Sequence, residues 1–511
     1  MKKNKIFALI AAALTLTACS DDFLEVQKPD GEPLEEYYTT EARLNEALNA
    51  AYAPLHWPDW DNVGYNALNI CGEIMGDDFW VGGSSNTDNQ HWHMLFNFEG
   101  NGNYTLGTLW TDFYSGVKRC NDAIKYIGWN RGKFDKEFAL DQMEQEARVL
   151  RVYYYNTLWK YYGNVPFYLE NLTSPYTAPQ MQADEIYEEL MTELDDIIVN
   201  CVLPMRWDDD NAGRISQAMV YMLYAEMAMY QNDETRLPQV LKLMQAIIND
   251  KSEYDLNPDY ANLWQESGEW CKESIWEINY NDDNAQRDWG AAALNAGGTV
   301  LPTLISPNGW PGGDGWDAGG DGWGFLPVKV ETYDMFADGD VRRDATCWDV
   351  RGVTYTERYQ DTHIWLNKYR PTTENCKDCP GSKNLNYNNN LRIYRFSETL
   401  LNAAELIVRG YGSGDAKGYL TQVRERAGLA AIDATLDNII EERHLEFVGE
   451  GKRYFDLVRL VNVSGSSKNA KNVLVPDAYG YRTNSWTESK KHIPLAQSEL
   501  DADPTLVQNN Y

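Results

Sequence analysis

The sequence predicts a mostly α-helical protein, in which tetratricopeptide-like helix pairs form a scaffold and a large loop-rich lobe is inserted into it. Apolar side chains recur three and four positions apart, the spacing of one helix face, in several segments. These segments are residues 141–162, 184–199, 214–231 and 236–249. Between residues 257 and 390 this period disappears, and aromatic residues, glycine, asparagine and aspartate dominate, which is typical of loops.

Residues 1–18 have the pattern of a bacterial export signal, because three lysines precede an apolar run from Ile6 to Leu16 and small residues follow. This run is too short to cross the ~30 Å hydrocarbon core of a bilayer, which needs about 20 residues. The residues from Leu16 to Cys19 resemble the lipobox of bacterial lipoproteins, which implies cleavage before Cys19 and lipids attached to it. No later apolar run is long enough to span a membrane, so we expect a protein held at a membrane through this lipid anchor only.

The segment that follows Cys19 is polar and aperiodic as far as residue 33, and we interpret it as a tether. A helix is predicted near residues 40–55, where small and apolar side chains return at helical spacing. Residues 56–107 are rich in aromatic residues but fit no period, so they are predicted to be loops.

The segment 141–162 predicts the strongest helix of the chain, and it stops at Gly163, just before Val165 and Pro166. Residues 214–231 and 236–249 form a predicted helix pair with a short connection. Such pairs stack side by side in tetratricopeptide-type arrays, since no single pair can bury its apolar face alone.

Helical spacing returns after the insert, and residues 274–278 are the clearest strand-like piece inside it. The later predicted helices are residues 391–410, 414–427, 436–449 and 452–461. We therefore predict one domain, 19–511, with a scaffold from about 35–256 and 391–461 and a ligand lobe at about 257–390.

Composition limits the classes of partner and of covalent framework. The formal net charge of −32 disfavours nucleic acid and other polyanions by long-range repulsion, so we expect no nucleic-acid partner. Eight cysteines in 511 residues, one of them Cys19, are too few for a disulfide scaffold. For Cys376 and Cys379, which form a CxxC, a local disulfide is favoured over redox chemistry.

Five motifs together resemble the SusD/RagB family. They are EARVLRVYYYNTLWKYYGNVPF (146–167), LLNAAEL (400–406), VRERAGL (423–429), ERHLEFVGEGKRYFDLVRL (442–460) and HIPLAQSELDADPTLVQN (492–509). The resemblance implies a lipoprotein on the cell surface of Bacteroidetes-type bacteria, anchored in the outer membrane. It also implies that the protein binds a polysaccharide or oligosaccharide and delivers it to a SusC-like TonB-dependent transporter.

The shared motifs do not define the ligand site, which we infer from side-chain chemistry. Sugars stack their apolar C–H faces on aromatic rings, while their hydroxyls bond to short polar side chains. Three loop stretches combine both residue types: 77–80, 281–289 and 306–327. We predict that Trp80, Trp289, Trp316 and Trp323 line one binding face and that Asp78 orients hydroxyls; alternatively, some of these rings pack in the interior of the lobe.

No cofactor, metal or catalytic residue is predicted. The glycine–aspartate repeat at residues 312–323 is similar to calcium-binding repeats, but its period is seven rather than nine and it occurs only twice. The HExxH, P-loop and GxSxG motifs are absent, so we expect binding without catalysis. A surface glycoside hydrolase, which needs only two suitably separated carboxylates, and a peptide-capturing lipoprotein remain the alternatives.

Overall fold

The computed structural model describes residues 32–60, 64–134, 137–283, 287–288, 297–313, 315–316 and 321–511. Its α-helices are α1 (Leu34–Tyr37), α2 (Glu41–Tyr52), α3 (Leu68–Glu73), α4 (Gln90–Phe96), α5 (Gly107–Trp129), α6 (Glu137–Tyr162), α7 (Ala183–Val199), α8 (Gln217–Gln231), α9 (Leu237–Asn249), α10 (Leu301–Leu304), α11 (Val330–Asp334), α12 (Arg342–Thr346), α13 (Phe396–Val408), α14 (Ala416–Arg426), α15 (Leu436–Phe447), α16 (Arg453–Arg459), α17 (Ala470–Val473) and α18 (Gln497–Ala502). Its strands are β1 (Val165–Pro166), β2 (Gln180–Met181), β3 (Ser274–Ile278), β4 (Cys347–Asp349), β5 (Ile364–Leu366) and β6 (Leu391–Arg395).

Consecutive helices pack side by side in the first half of the chain, α5 on α6, α6 on α7, α7 on α8 and α8 on α9. After the insert, α13 packs directly on α9, and α14 packs on α13. The stack of helices therefore continues across the residues that separate α9 from α13 in the sequence. The prediction of a mainly helical fold built from packed helix pairs is confirmed.

Helix α6 lies at the centre of this stack. Every residue from 149 to 159 is buried, as is usual for a helix that is covered on all sides. The neighbouring helix α8 is capped at its N-terminus by Ser216, whose side chain accepts a hydrogen bond from the Met219 backbone N–H. The sequence signals for the scaffold thus correspond to ordinary helix burial and capping.

The secondary structure differs from the sequence prediction in two segments. Residues 391–395, predicted as the start of a helix, form β6, which pairs antiparallel with the fully buried strand β3. Buried backbone groups of β3 need hydrogen-bond partners, and β6 supplies them. Residues 56–107, predicted to be loops, contain α3 and α4, which have six and seven residues and are too short to show a period.

Between α9 and β6 the described chain contains no helix or strand longer than five residues. Its order comes instead from short pairings, of which β4 with β5 is one. Isolated bridges join Phe79 to Val328 and Gly82 to Phe325, so the loop after α3 is attached to the loop after Trp323. These attached loops carry the aromatic residues discussed below.

Buried apolar side chains form one large core that extends from the helices into the insert. A second cluster of buried side chains lies within the insert and is lined mainly by tryptophan: Trp310, Trp316, Trp348, Val350 and Trp365, with Tyr355 packed against it. The lobe therefore has a small aromatic core of its own.

The cysteine prediction is corrected by the structure, in which all seven cysteines of the described residues are free. The Cys376 thiol faces the carbonyls of Thr372 and Thr373, and the Cys379 thiol faces those of Cys376 and Gly381. The two thiols of this CxxC are thus hydrogen-bonded to backbone carbonyls and do not form a disulfide with each other. Within the described ranges, no helix has the length and apolar character of a membrane span.

Candidate functional site

Asp78, predicted to orient ligand hydroxyls, lies in the loop after α3 and is buried. Its Oδ1 atom lies 2.7 Å from His444 Nε2 and accepts a hydrogen bond from the Thr332 hydroxyl at 3.1 Å. Its carbonyl oxygen accepts from the Lys329 backbone N–H at 2.9 Å. These bonds join α11 and α15 to the loop, so Asp78 has a structural role. Its burial offers no support for contact with a ligand.

Trp80 is only 4% exposed. Its ring packs edge-on against Phe96 and against two tyrosines, Tyr479 and Tyr481. The Lys329 ammonium lies 4.2 Å from the ring centroid, and burial lowers the pKa of this lysine to about 8. Trp80 therefore packs against neighbouring rings and has almost no exposed face on which a sugar could stack.

Trp316 is 2% exposed and belongs to the second aromatic core. Its ring lies at an angle of 71° to Trp348, and its Nε1–H donates to the Tyr387 hydroxyl at 3.0 Å. Both its apolar faces and its polar atom are thus used inside the protein. For Trp80 and Trp316, burial favours packing, the alternative that the sequence left open.

Two predicted functional residues, Trp289 and Cys19, lie outside the described residues. Arg287, two positions before Trp289, is buried and donates to the Asp59 carboxylate at 2.8 Å. It also donates to the His56 carbonyl at 2.9 Å. This arginine attaches the 287–288 segment to the loop that carries Trp60.

Trp323, the remaining predicted residue, is half-buried and lies in a group of three rings that we call the aromatic cluster: Trp60, Tyr65 and Trp323. The Trp323 centroid lies 5.1 Å from Tyr65 and 6.0 Å from Trp60. The Trp60 and Tyr65 planes are within 6° of parallel. Trp92 packs edge-on below Tyr65 and Phe325 below Trp92, so the cluster rests on a rigid aromatic base.

The glycines on both sides of Trp323 explain why such a large ring stands in a glycine-rich stretch. A Cβ atom at Gly322 would lie 2.3 Å from the Ser306 carbonyl oxygen, so only glycine allows the two backbones to approach. Gly324 has a φ of +72°, in the left-handed region that favours glycine. The Trp323 N–H donates to the Thr303 carbonyl at 2.8 Å, and its carbonyl accepts from Arg358 at 3.1 Å.

A groove of about 450 Å³ adjoins the aromatic cluster at Gly64 and Asn66; it is called the polar groove below. Most of its side chains carry an amide, a hydroxyl or an imidazole, and one carries a carboxyl: Asn66, Gln90, His91, Asn103, Tyr104, Thr105, Thr108, Thr111, Ser498 and Glu499. Asn66 connects groove and cluster, since its Oδ1 accepts from Trp92 Nε1 at 3.1 Å. Such uncharged donors and acceptors match the hydroxyls of a neutral sugar.

Burial shifts the pKa values of His91 and Glu499 in the polar groove in opposite directions. Burial and the nearby His93 lower the pKa of His91 to about 4, so this imidazole is uncharged near neutral pH. Burial raises the pKa of Glu499 above its usual value. Neither group offers a strong attraction to an anionic ligand at neutral pH.

The sequence reasoning missed Trp60, Tyr65, Asn66 and His91. All four lie in the stretch 56–107, whose aromatic and aperiodic sequence does not indicate which side chains come together beside Trp323. Their proximity to Trp323 depends on the pairing between the loops at residues 79–83 and 324–328, which no local pattern reveals.

One group in the described part of the chain has the spacing of a metal site: Asp77, Asp78 and His444 have ligand atoms within 4.8 Å of one another. Arg453 already donates to both Asp77 oxygens, at 2.7 and 2.9 Å. Burial raises the pKa of Asp77, but the Arg453 guanidinium lowers it overall. Because Arg453 and Lys329 balance the two carboxylates, an ion-paired cluster accounts for this arrangement.

The acidic residues near the Gly449–Gly451 turn are also paired with cations. They belong to a buried charge network of carboxylates, arginines and a lysine: Glu273, Asp340, Arg342, Lys368, Arg395, Arg424, Arg426, Glu442, Glu446 and Glu450. Glu446, for example, is fully buried and contacts Arg342, Arg395 and Arg426. The network joins α12, α14 and α15 to β6, and each of its carboxylates is paired with at least one of its cations.

Two family models match the chain. The SusD family matches residues 341–511, and a family described as starch-binding and associating with the outer membrane matches residues 22–228. A curated relative, SusD-like protein P2 from Formosa agariphila, is 25% identical over 100% of this chain and 99% of its own length.

Two similar solved structures have the same overall fold. Surface glycan-binding protein A from Bacteroides uniformis is 58% identical, with 92% of this chain and 99% of that chain covered and a TM-score of 0.85. Surface glycan-binding protein A from Bacteroides thetaiotaomicron, solved in complex with laminarihexaose, is 54% identical, with 93% and 100% covered and a TM-score of 0.87. The identities are high, and the likeness extends over nearly the whole chain.

Proposed function

The chain belongs to the SusD family, and we propose that it is a cell-surface glycan-binding protein whose ligand is a neutral β-1,3-linked glucan. The observation that carries this proposal is the aromatic cluster beside the polar groove. Tyr65 and Trp323, which are half-buried and rest against the buried Trp60, can stack against sugar C–H faces. The adjoining amides and hydroxyls can bond to sugar hydroxyls. The similarity to a protein solved with laminarihexaose supports the choice of glucan.

Charge supports a neutral ligand. The formal charge of −32 repels polyanions, and His91 in the polar groove carries no compensating positive charge near neutral pH. A uronic-acid or sulfated polymer would therefore approach an acidic surface with no matching cations in the groove lining.

We expect the protein without residues 1–18 to bind laminarin and laminarihexaose but not polygalacturonate. We also expect that it does not hydrolyse the glycans it binds. Affinity electrophoresis in gels loaded with either polymer at low ionic strength tests the preference, and calorimetry with laminarihexaose gives the affinity. A reducing-end assay against heat-inactivated protein tests for hydrolysis. Tighter binding to polygalacturonate would contradict the neutral ligand, and new reducing ends would favour the glycoside hydrolase alternative.

We infer that Cys19 carries the lipid anchor, that the protein faces outward from the outer membrane, and that it passes glycan to a SusC-like TonB-dependent transporter. Family membership and the lipobox-like sequence before Cys19 support this inference. Co-purification of the wild-type protein with such a transporter from solubilised outer membranes tests the partnership.

Replacing Cys19 with alanine is expected to release the protein from the membrane, because no acyl group can then be attached to the thiol. Fractionation after a high-salt wash and labelling with a radioactive fatty acid measure the change. Cys201→Ala, which removes another free cysteine, is the matched control and should stay membrane-bound. A Cys19→Ala protein that still incorporates the fatty acid would refute the anchor assignment.

A further inference from the structure

Three tyrosines outside the aromatic cluster form a second group of rings at the surface, called here the tyrosine strip: Tyr359, Tyr479 and Tyr481. Tyr479 is 59% exposed, and the other two are half-buried. The Tyr479 and Tyr481 planes are within 7° of parallel, with centroids 6.1 Å apart, and Tyr359 lies 5.8 Å from Tyr481. Apolar side chains that adjoin one another at the surface mark interaction sites, whereas scattered single ones need no explanation.

The loop that carries Tyr479 and Tyr481 is held rigidly. The Asp477 carboxylate accepts hydrogen bonds from the backbone N–H groups of Tyr479, Tyr481 and Arg482. The buried Arg482 side chain donates to the carbonyls of Phe96 at 2.9 Å and Gly76 at 2.7 Å. Trp80 packs edge-on against both tyrosines, and the Tyr479 hydroxyl donates to Glu331 at 3.0 Å. The rings are therefore pre-organised, which lowers the entropy lost on binding.

Backbone contacts connect the tyrosine strip to the aromatic cluster. Tyr359 donates its N–H to the Gly83 carbonyl at 3.0 Å, and Gly83 donates to the Gly324 carbonyl, next to Trp323, at 2.7 Å. Arg358, the neighbour of Tyr359, holds the Trp323 carbonyl at 3.1 Å. The His93 ring contacts Tyr359, while the adjacent Trp92 contacts Tyr65. The same loops, joined by these hydrogen bonds, therefore carry rings of both groups.

We propose that the tyrosine strip is an additional glycan-contacting surface that continues the aromatic cluster, so that the protein binds long glucan chains more tightly than short ones. This inference rests on the proposed function. A chain bound at the aromatic cluster presents further sugar rings, and Tyr479 and Tyr481 offer flat apolar faces of the kind that sugars stack on. The carboxylate of Glu331 and the tyrosine hydroxyls supply hydrogen-bonding groups at the same place.

The test compares chain lengths in one set of variants: Tyr479→Ala, and Tyr479→Ala combined with Tyr481→Ala. The matched control is Tyr176→Ala, because Tyr176 is 72% exposed but lies between β1 and β2 on the helical part of the chain. Calorimetry measures the affinity for laminaritriose, laminarihexaose and laminarin, and circular dichroism checks that each variant is folded. The Tyr479→Ala single variant removes the most exposed ring and so keeps the test valid if the double variant unfolds.

The double variant is expected to lose about tenfold or more in affinity for laminarin while its affinity for laminaritriose stays unchanged. Tyr479→Ala should lose part of this, and Tyr176→Ala none. Equal affinity of wild type and folded variants for laminarin would overturn the inference. Failure of the proposed function is distinguishable, because wild-type protein would then bind none of the three probes.

Discussion

Replacing Arg395 with methionine is expected to lower the free energy of unfolding by about 3–5 kcal/mol, the cost of removing one partner from a buried ion pair. The Arg395 side chain is 1% exposed and lies at the centre of the buried charge network. Its guanidinium donates to Glu273 at 2.6 Å, to Glu446 at 3.0 Å and to both oxygens of Glu450 at 2.9 and 2.7 Å. Methionine fills similar space but supplies no charge.

The cost arises because the network contains equal numbers of cationic side chains and carboxylates. Without Arg395, the remaining cations leave one buried negative charge without compensation, and desolvation of an unpaired charge is expensive. Lys368 still pairs with Glu450 at 2.7 Å, and Arg426 still pairs with Glu273 at 2.7 Å. The loss is therefore that of one excess charge rather than of the whole network.

The same deficit should depend on pH. Burial alone would raise the pKa of Glu450, but Arg395 and Lys368 lower it overall below its usual value. A carboxyl group whose pKa is lowered in the folded protein contributes stability above its unfolded pKa, about 4.3, and loses it as the pH falls further. In Arg395→Met the pKa of Glu450 is lowered less, so acid reduces the stability of wild type more than that of the variant. The difference between them should shrink below about pH 4.

Urea denaturation followed by tryptophan fluorescence at pH 7 and pH 3.5 measures both effects. Arg351→Met is the matched control, because its side chain is 48% exposed and its pairing with Asp349 is screened by water. Its denaturation midpoint should barely move at either pH. A loss below about 1 kcal/mol for Arg395→Met, or a loss of equal size at both pH values, would mean that the network does not stabilise the fold in this way.

The helical scaffold could be predicted because helix burial leaves a local signal. In α6 and α9 the apolar spacing is visible within fifteen residues, Gly163 follows the end of α6, and a proline stands in the first turn of α9. Strand β6 could not be predicted, because its residues are strand-like only through pairing with β3, more than a hundred residues earlier. The free thiols of Cys376 and Cys379 likewise depend on the fold of their loop.

The candidate site was predicted only in part, and the reason is visible in the tryptophans. Composition identified glycine-rich loops with large rings, but Trp316 and Trp323, seven positions apart, have different surroundings. Trp316 enters the second aromatic core, whereas Trp323 is turned into the aromatic cluster by the backbone pairing around Gly322 and Gly324. Which ring is buried depends on contacts with residues 303–306 and 358, and these contacts are not encoded in the local pattern.

Replacing Trp323 with alanine is expected to weaken laminarihexaose binding about thirtyfold, equivalent to about 2 kcal/mol. The change removes one ring of the aromatic cluster and leaves Trp60 and Tyr65 without the neighbour that lies 6.0 and 5.1 Å from them. Since Trp323 is half-buried, some stability should be lost as well. Calorimetry with laminarihexaose, alongside thermal unfolding, separates the two effects.

Trp316→Ala is the matched control, because the same substitution is made seven residues away in a ring that is 2% exposed. Truncating a core tryptophan costs about 3–5 kcal/mol of stability, so this variant should unfold at a clearly lower temperature. Its folded fraction should bind laminarihexaose as wild type does. Trp289→Ala, made in parallel, tests whether that residue belongs to the site as the sequence predicts.

Trp323→Phe decides whether stacking is the cause of the expected loss. Phenylalanine keeps a flat apolar face at the same position but has less area, so it should recover part of the affinity that alanine loses. A purely structural role would instead make affinity follow thermal stability across Trp323→Ala, Trp323→Phe and Trp316→Ala. If Trp323→Ala is folded and binds laminarihexaose with unchanged affinity, the aromatic cluster is not the glycan site. Trp323, the ring of the cluster that the sequence predicts to contact the ligand, would then be dispensable for binding.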